Sequence, residues 1–371
     1  MEILFVHLLN NYTGSPRVLA NVLRGLIHDD GVHFHLLTSF SEGALSEIDG
    51  VAYHDNHYKW TSRKILLAVK LLFSQIYQFF FVLFSQKYDL VYVNTILPFG
   101  SALAAKFRGM KIIYHIHEYY PNPNLMQKVC VFFARKCASE IVFVSEYLKT
   151  CYENKFKCPQ IVIYNSVAKN FHETAQEFSL TDEVIKTRFE NKRIVMPCSL
   201  KKYKGVFEFI KLADKMPDFS FELIVSNSAE ETKFFFKNFD FPKNLTVKNE
   251  IKDMAKIYGQ ASLVMNLSIP HGIDRIIETF SMILLEGFEY GLPCIAPNYG
   301  GPKEVCTDGK SGFLVEPLDT ETVAEKIVYI FRSLDTYTNF SNEARKRAES
   351  FSYADFISSE KKIIWGNSYG F

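Results

Sequence analysis

Residues 90–117 read LVYVNTILPFGSALAAKFRGMKIIYHIH. A short apolar run (90–94), a helical pattern (100–107) and a second apolar run (112–117) make one strand–helix–strand unit. Apolar runs this short, separated by a helix, are the signature of parallel strands buried on both faces. Further strands follow on either side, at 3–7 and 34–38 upstream and 141–145 and 161–164 downstream. Helical patterns at 16–26, 125–136 and 147–156 separate them. This alternation predicts an α/β doubly wound sheet. Residues 168–192 are polar and charge-rich and read as a linker region. A second series of strands then begins at 194–197, 221–225, 245–247, 263–267, 294–297 and 313–315, again with helices between. The chain therefore reads as two Rossmann-like domains, 1–167 and 193–350, with a C-terminal helical segment, 351–371, packing back toward the first. Ligands of such folds bind outside the carboxyl ends of the strands, and two tandem sheets are expected to face a central cleft.

The 371 residues suit two or three domains, and 48% apolar with 22% charged residues fits large buried cores. A formal net charge of +1 gives no support to bulk nucleic-acid binding. Seven scattered cysteines without a CxxC pair argue for reduced thiols in the cytosol, and against a disulfide framework or zinc knuckle. The start, Met1-Glu2-Ile3-Leu4-Phe5-Val6, lacks a basic n-region and reads as a first strand, not a signal peptide. Residues 64–87 come close to a spanning helix, but Lys70, Ser74, Gln75 and Gln78 interrupt the run. They read either as a core helix with one wet edge or as a helix resting on an anionic membrane surface. The motive for the latter is the run of basic residues from Lys59 to Lys111, among which Asp89 is the only acid.

The segment richest in chemistry is Glu278-Thr279-Phe280-Ser281-Met282-Ile283-Leu284-Leu285-Glu286, ended by Gly291 and Pro293. Two glutamates eight residues apart, on or just before one helix, stand about 12 Å apart along its axis. That matches the distance from a hexose across a pyrophosphate to a ribose. The amides of Phe280, Ser281 and Met282, at the helix N-terminus, suit a pyrophosphate anion. Glu286 is embedded among Ile283, Leu284, Leu285 and Phe288, where an unpaired carboxylate is costly and a bound hydroxyl pair would explain it. In the first series, Ser15 reads as an N-cap and Pro16 as the first helical position, while Gly14 lets backbone approach a ligand. Alternation puts His115 and His117 on one face at a strand end.

The Glu278–Glu286 segment resembles the E-x(7)-E signature of GT-B retaining glycosyltransferases, specifically glycosyltransferase family 4. The resemblance continues through Gly300-Gly301-Pro302-Lys303-Glu304-Val305 and Asp308-Gly309-Lys310-Ser311-Gly312-Phe313-Leu314-Val315. It implies that Glu286 binds the ribose hydroxyls, that Glu278 contacts the donor sugar, and that the amides of Phe280, Ser281 and Met282 hold the phosphates. Cys198-Ser199-Leu200-Lys201-Lys202-Tyr203-Lys204-Gly205 is similar to the family's phosphate loop. Lys204 fits the lysine that neutralises the leaving diphosphate. The family arginine is replaced by Ser199, and Lys201 or Lys202 is the candidate to supply that charge. His117 matches a histidine that contacts donor sugar or phosphate. The loop with Gly14 and Ser15 matches one touching donor phosphates or acceptor.

The activity implied is transfer of a sugar, with retention, from a nucleoside-diphosphate sugar (UDP rather than GDP) to a lipid-linked glycan in bacterial surface polysaccharide synthesis. No cofactor or metal is implied, and no Asp-x-Asp motif occurs in the expected cleft. The expected location is the cytoplasm, peripheral on the inner face of the membrane. Three alternatives remain open: a GT-B epimerase or phosphorylase, a non-catalytic nucleotide-sugar-binding protein, and a membrane-binding scaffold.

Overall fold

A computed structural model describes residues 1–366 except His28, Asp30, Asn238 and residues 271–276, with the Lys64 side chain also outside the described set. The chain divides into two units, Met1–Asn165 with Ala354–Phe371, and Ser166–Tyr353.

Unit 1 runs β1 (Glu2–Val6), α1 (Gly14–Leu26), β2 (His33–Thr38), β3 (Val51–Asp55), α2 (Lys64–Phe84), β4 (Leu90–Asn94), α3 (Phe99–Phe107), β5 (Lys111–Ile116), α4 (Leu125–Cys137), β6 (Glu140–Phe143), α5 (Glu146–Cys151) and β7 (Gln160–Val162). All seven strands are parallel, in the order β3-β2-β1-β4-β5-β6-β7. Every residue of β4 is buried, which is why it reads as an unbroken apolar run. The strand order reverses between β1 and β4, and the crevice at their carboxyl ends is where such a sheet binds ligands.

β3 has no counterpart among the sequence-read strands. It is an edge strand paired only with β2 and half exposed, so it carries no apolar run. The helix read at 64–87 does form, as α2, but its polarity is the reverse of a core helix with one wet edge. Ser74, Gln75 and Gln78 are buried together with Val82, while Ile65, Leu66, Val69, Leu72, Phe73, Ile76, Phe80 and Phe84 are exposed.

Unit 2 runs α6 (Lys169–Glu177), α7 (Asp182–Asn191), β8 (Arg193–Cys198), α8 (Val206–Lys215), β9 (Ser220–Val225), α9 (Ala229–Phe235), β10 (Leu245–Asn249), α10 (Met254–Gln260), β11 (Leu263–Met265), α11 (Met282–Glu289), β12 (Cys294–Pro297), α12 (Pro302–Val305), β13 (Gly312–Val315), α13 (Thr320–Ile330) and α14 (Leu334–Ala348). Its six strands are parallel in the order β10-β9-β8-β11-β12-β13, reversing between β8 and β11.

Residues 168–192, read as a linker, are instead the two helices α6 and α7, clamped into unit 2 by charge. The buried Arg188 guanidinium donates to the carbonyls of Tyr290, Tyr258 and Gly259, at 2.7, 3.2 and 3.0 Å. His172 Nδ1 lies 2.9 Å from Glu289 Oε2, a carboxylate that is itself buried. Buried polar groups need such partners, and here they tie α6 and α7 to unit 2.

The last helix, α15 (Tyr353–Trp365), lies mostly in unit 1. Tyr92 donates its hydroxyl to Glu360 at 2.9 Å, and Lys361 pairs with Asp29 at 2.7 Å. Gly25 leaves room for Ile357, whose Cδ1 would lie 2.3 Å from a Cβ there.

Candidate functional site

In unit 2 the polar groups gather where the strand order reverses. β8 ends at Cys198, and a single 3₁₀ turn, Lys202–Lys204, follows. Gly205 closes that turn at φ 74°, and a Cβ there would stand 2.1 Å from the Leu267 carbonyl oxygen. The loop after β8 is thereby pressed against the loop after β11, and Ile269 N donates to Tyr203 O at 2.7 Å. On this platform the Lys204 ammonium pairs with Glu278 Oε2, and Ser268 Oγ donates to the same oxygen at 3.3 Å. Burial lowers the Lys204 pKa, but the adjacent Glu278 carboxylate outweighs it and leaves the ammonium more basic than usual.

Two glycines set the position of Glu278. Gly301 N donates to the Glu278 carbonyl at 3.0 Å. A Cβ on Gly300 would lie 2.5 Å from the Glu278 oxygen, and one on Gly301 would lie 2.1 Å from the Thr279 oxygen. The Gly-Gly pair thus lets the 278–280 strand of loop lie flat on the loop after β12.

Of the two positions expected for Glu278, on the helix that carries Glu286 or just before it, the structure has the second, while two other sequence expectations are corrected. Helix α11 starts only at Met282, so its first-turn amides begin there and not at Phe280. Ser281 is the N-cap residue, but its hydroxyl accepts from Asn266 Nδ2 at 2.8 Å and caps no amide. Phe280 is buried against the Phe351 ring. Lastly, Glu286 is not a carboxylate waiting for a partner: it is 2% exposed and accepts from the Tyr258 hydroxyl at 2.8 Å. Lys201 and Lys202 are exposed, with the Lys201 ammonium 5.6 Å from the Tyr203 ring centroid. Ser199 is half-buried.

In unit 1 the corresponding crevice lies at the ends of β1 and β4. Asn94 closes β4, and its side chain ties three segments together. Its Nδ2 lies 3.0 Å from His7 Nδ1 and donates to Ser15 O at 3.1 Å, while its Oδ1 accepts from His117 Nε2 at 2.8 Å. His117 and His115 share a face, their ring centroids 4.3 Å apart. Burial pushes His7 down to about 4 and His115 to about 3. Burial likewise pushes His117 far below the usual range, helped by its histidine neighbours. These imidazoles are therefore neutral at physiological pH. Burial raises the Glu118 carboxyl to about 7, although it accepts from the amides of Ile96 and His117.

Helix α1 begins at Gly14 with Thr13 as its N-cap, so Ser15 sits inside the first turn. The reason is an Asx turn: Asn11 Oδ1 accepts from Thr13 N at 3.0 Å and from Thr13 Oγ1 at 2.6 Å. A Cβ on Gly14 would meet nothing within 4 Å, so the protein itself does not require glycine there.

The structure thus brings Lys204 together with Glu278, and Ser15 together with His117. Sequence reasoning missed Asn94, Ser268, Asn266 and Tyr258. Of these, Asn94 carried a signal as the last residue of an apolar run at a strand's carboxyl end.

The chain matches two family descriptions, Glycosyltransferase Family 4 over residues 12–170 and Glycosyl transferases group 1 over residues 180–347. It is 23% identical, over 82% of its length and 83% of the relative's, to the alpha-1,3/1,6-mannosyltransferase ALG2 of Dictyostelium discoideum. It is also 23% identical, over 98% of its length and 97% of the relative's, to an uncharacterized glycosyltransferase of Methanocaldococcus jannaschii. Among solved structures it is similar to Anabaena Alr3699/HepE in complex with UDP and glucose. That similarity has a TM-score of 0.75 at 18% identity and covers 98% of this chain and 99% of that one, a likeness of fold. One match on each unit, and a shared fold across both, make the protein a GT-B glycosyltransferase of the group 1, family 4-like kind, acting on a nucleotide-sugar donor.

Proposed function

We propose that the protein transfers a glycosyl group from a nucleoside-diphosphate sugar to an acceptor hydroxyl with retention of configuration and without a metal. The observation that carries this reading is the Lys204–Glu278 pair with Ser268 at the strand-order reversal of unit 2. A lysine held at a loop beside a helix N-terminus is suited to an oxyanion, and the charge on a departing diphosphate grows in the transition state. In this reading Lys204 shifts from Glu278 to the diphosphate when donor binds. Glu278 then grips the sugar hydroxyls, and the first turn of α11 faces the phosphates. Lys201 and Lys202, exposed on the same loop, add positive charge where the family arginine is replaced by Ser199.

Glu286 takes the ribose hydroxyls, with the Tyr258 hydroxyl holding its Oε2 and so fixing the carboxylate's orientation. His117 is neutral and fixed by Asn94, so it offers a hydrogen bond to a sugar hydroxyl or phosphate oxygen without adding charge. The departing phosphate itself takes the acceptor's proton, so no protein nucleophile is needed. UDP is the nucleotide we favour, since the similar Anabaena protein was solved with UDP and glucose. We assign the acceptor to lipid-linked glycans of bacterial surface polysaccharide and the enzyme to the cytoplasm, where its seven free cysteines stay reduced.

The test is a thermal-shift panel of UDP- and GDP-sugars, followed by proton NMR of the product made from the stabilising donor. A specific donor raises the melting temperature by mass action. Retained anomeric configuration, unaffected by EDTA, supports the reading; an inverted product or an EDTA-dependent reaction refutes it.

A further inference from the structure

Helix α2 is amphipathic in the wrong sense for a soluble protein. Its polar residues point inward: Ser74 Oγ donates to Asn56 O at 2.8 Å, Gln75 Oε1 accepts from Gly100 N at 2.9 Å, and Gln78 Oε1 accepts from Ser101 Oγ at 3.0 Å. Gly100 makes this possible, because a Cβ there would lie 2.1 Å from the Gln75 carbonyl oxygen. The outward stripe is Leu66, Val69, Phe73, Ile76, Phe80 and Phe84, at the three- and four-residue spacing of one helix face. Phe84 is 78% exposed. Residues 65–84 have a mean hydropathy of 1.8, and the helix is about 30 Å long.

The stripe continues sideways. Phe79 of α2 meets Phe107 of α3, which is 71% exposed, and beneath the surface the buried Phe99 of α3 stacks on Phe133 of α4 at 5.0 Å, holding the two helices side by side. Helix α4 then adds an exposed stripe that interleaves Leu125 and Phe132 with Lys128, Arg135 and Lys136. Scattered exposed apolar residues need no explanation, but an apolar stripe along the whole of one helix, flanked by exposed Phe107, Leu125 and Phe132 on its neighbours, does.

Charge says what covers it. Between Lys59 and Ser139 stand eleven lysines and arginines against two acids, in a chain whose net charge is +1. Of the two acids, Asp89 is engaged by the amide of Glu2 and Glu118 holds the amides of Ile96 and His117. Of the bases, Arg108 caps the carboxyl end of α2 through the carbonyls of Val82 and Ser85, and Lys111 holds the Ile363 carbonyl. Arg63, Lys106, Lys128, Arg135 and Lys136 remain exposed around the apolar layer.

We propose that this face of unit 1 docks on an anionic lipid bilayer, with α2 lying in the plane of the interface. Its apolar stripe reaches the acyl boundary while the basic residues meet lipid phosphates. A spanning arrangement would strip Ser74, Gln75 and Gln78 of their partners. A second copy of the chain would set the same excess of positive charge against itself. The inference is independent of the donor assignment.

The experiment is sedimentation of the full chain with phosphatidylcholine vesicles, with and without phosphatidylglycerol, across a salt series. Binding should require the anionic lipid and weaken with salt. Each of Arg63→Glu, Lys128→Glu and Lys136→Glu should lower the partition coefficient at least about fivefold. Val69→Gln with Phe73→Gln, both on the solvent face, should abolish binding at high salt while donor turnover stays at wild type. Glu278→Gln should bind vesicles as wild type does, which separates failure here from failure of the donor site. Equal recovery on neutral and anionic vesicles overturns the proposal, as does recovery on neither. A concentration-dependent dimer by light scattering that Phe73→Gln dissolves also overturns it, assigning the face to a second copy.

Discussion

Replacing Lys204 by alanine isolates the step on which the mechanism depends. The ammonium and the Glu278 carboxylate are each largely shielded, their side chains 23% and 21% exposed. Two unit charges about 4 Å apart at an effective dielectric of about 20 interact by about 4 kcal/mol, and a phosphate oxygen taking the carboxylate's place would gain a similar attraction. Only the part that grows as the diphosphate departs speeds the reaction; loss of one such preorganised donor costs about 10²–10³ in kcat, or roughly 3–4 kcal/mol. Lys204→Ala should therefore lower kcat by that factor while donor KM changes less than about tenfold. Folding should survive: Glu278 keeps the Ser268 hydroxyl, and a weakened buried polar contact costs about 1–2 kcal/mol. Because the two side chains are paired, Lys204→Ala in a Glu278→Gln background should cost less than in wild type. The assay is steady-state release of nucleoside diphosphate, with circular dichroism to confirm the fold. A folded variant whose kcat stays within about threefold of wild type, or whose loss lies wholly in KM, would refute the reasoning.

Glu286→Gln should weaken nucleotide binding by calorimetry at least about tenfold, since a hydrogen bond to a charged acceptor is worth about 1.5–3 kcal/mol, with Tyr258→Phe showing a smaller loss. Gly301→Ala should abolish turnover in a folded protein, because the new Cβ would fall 2.1 Å from the Thr279 carbonyl and displace the Glu278 loop. Burial raises Glu360 from the ordinary 4.5 to about 8, with the Tyr92 hydroxyl and the His115 ring facing it. Since the folded-state value is raised, this stability is full below pH 4.5 and lost as pH climbs to about 8. Urea unfolding should thus show about 2 kcal/mol less stability from this group at pH 8 than near pH 6.5, a component that Glu360→Gln removes.

How much of this could be read from the chain differs by element. Strands buried on both faces announced themselves: the runs read at 90–94 and 294–297 have the same limits as β4 and β12. The half-exposed edge strand β3 did not, because an edge carries no continuous apolar run. Helices α6 and α7 look polar in sequence, and the contacts that bind them, Arg188 to three carbonyls and His172 to Glu289, join residues 70–117 positions apart. The reversal of α2 was hidden for another reason. Periodicity shows that a helix has two faces, but which of them meets the sheet is settled by partners such as Gly100 and Asn56. In the site, residue types were legible through the family resemblance, while their pairing was not. Lys204 and Glu278 lie 74 positions apart, and the Asn94 bridge from Ser15 to His117 spans three segments. Helix starts were misread at Ser15 and Phe280, where an Asx turn and a glycine-supported loop, not a side-chain cap, set the first turn.

The most direct test of the account is release of nucleoside diphosphate from a panel of UDP- and GDP-sugars, compared between wild type, Lys204→Ala and Glu278→Gln. The account predicts that wild type consumes a defined donor, UDP-linked, and that both variants lose about 10²–10³ of that turnover while still binding the free nucleotide. Variants that turn over donor at the wild-type rate, or a folded wild type that neither binds nor consumes any donor in the panel, would contradict it.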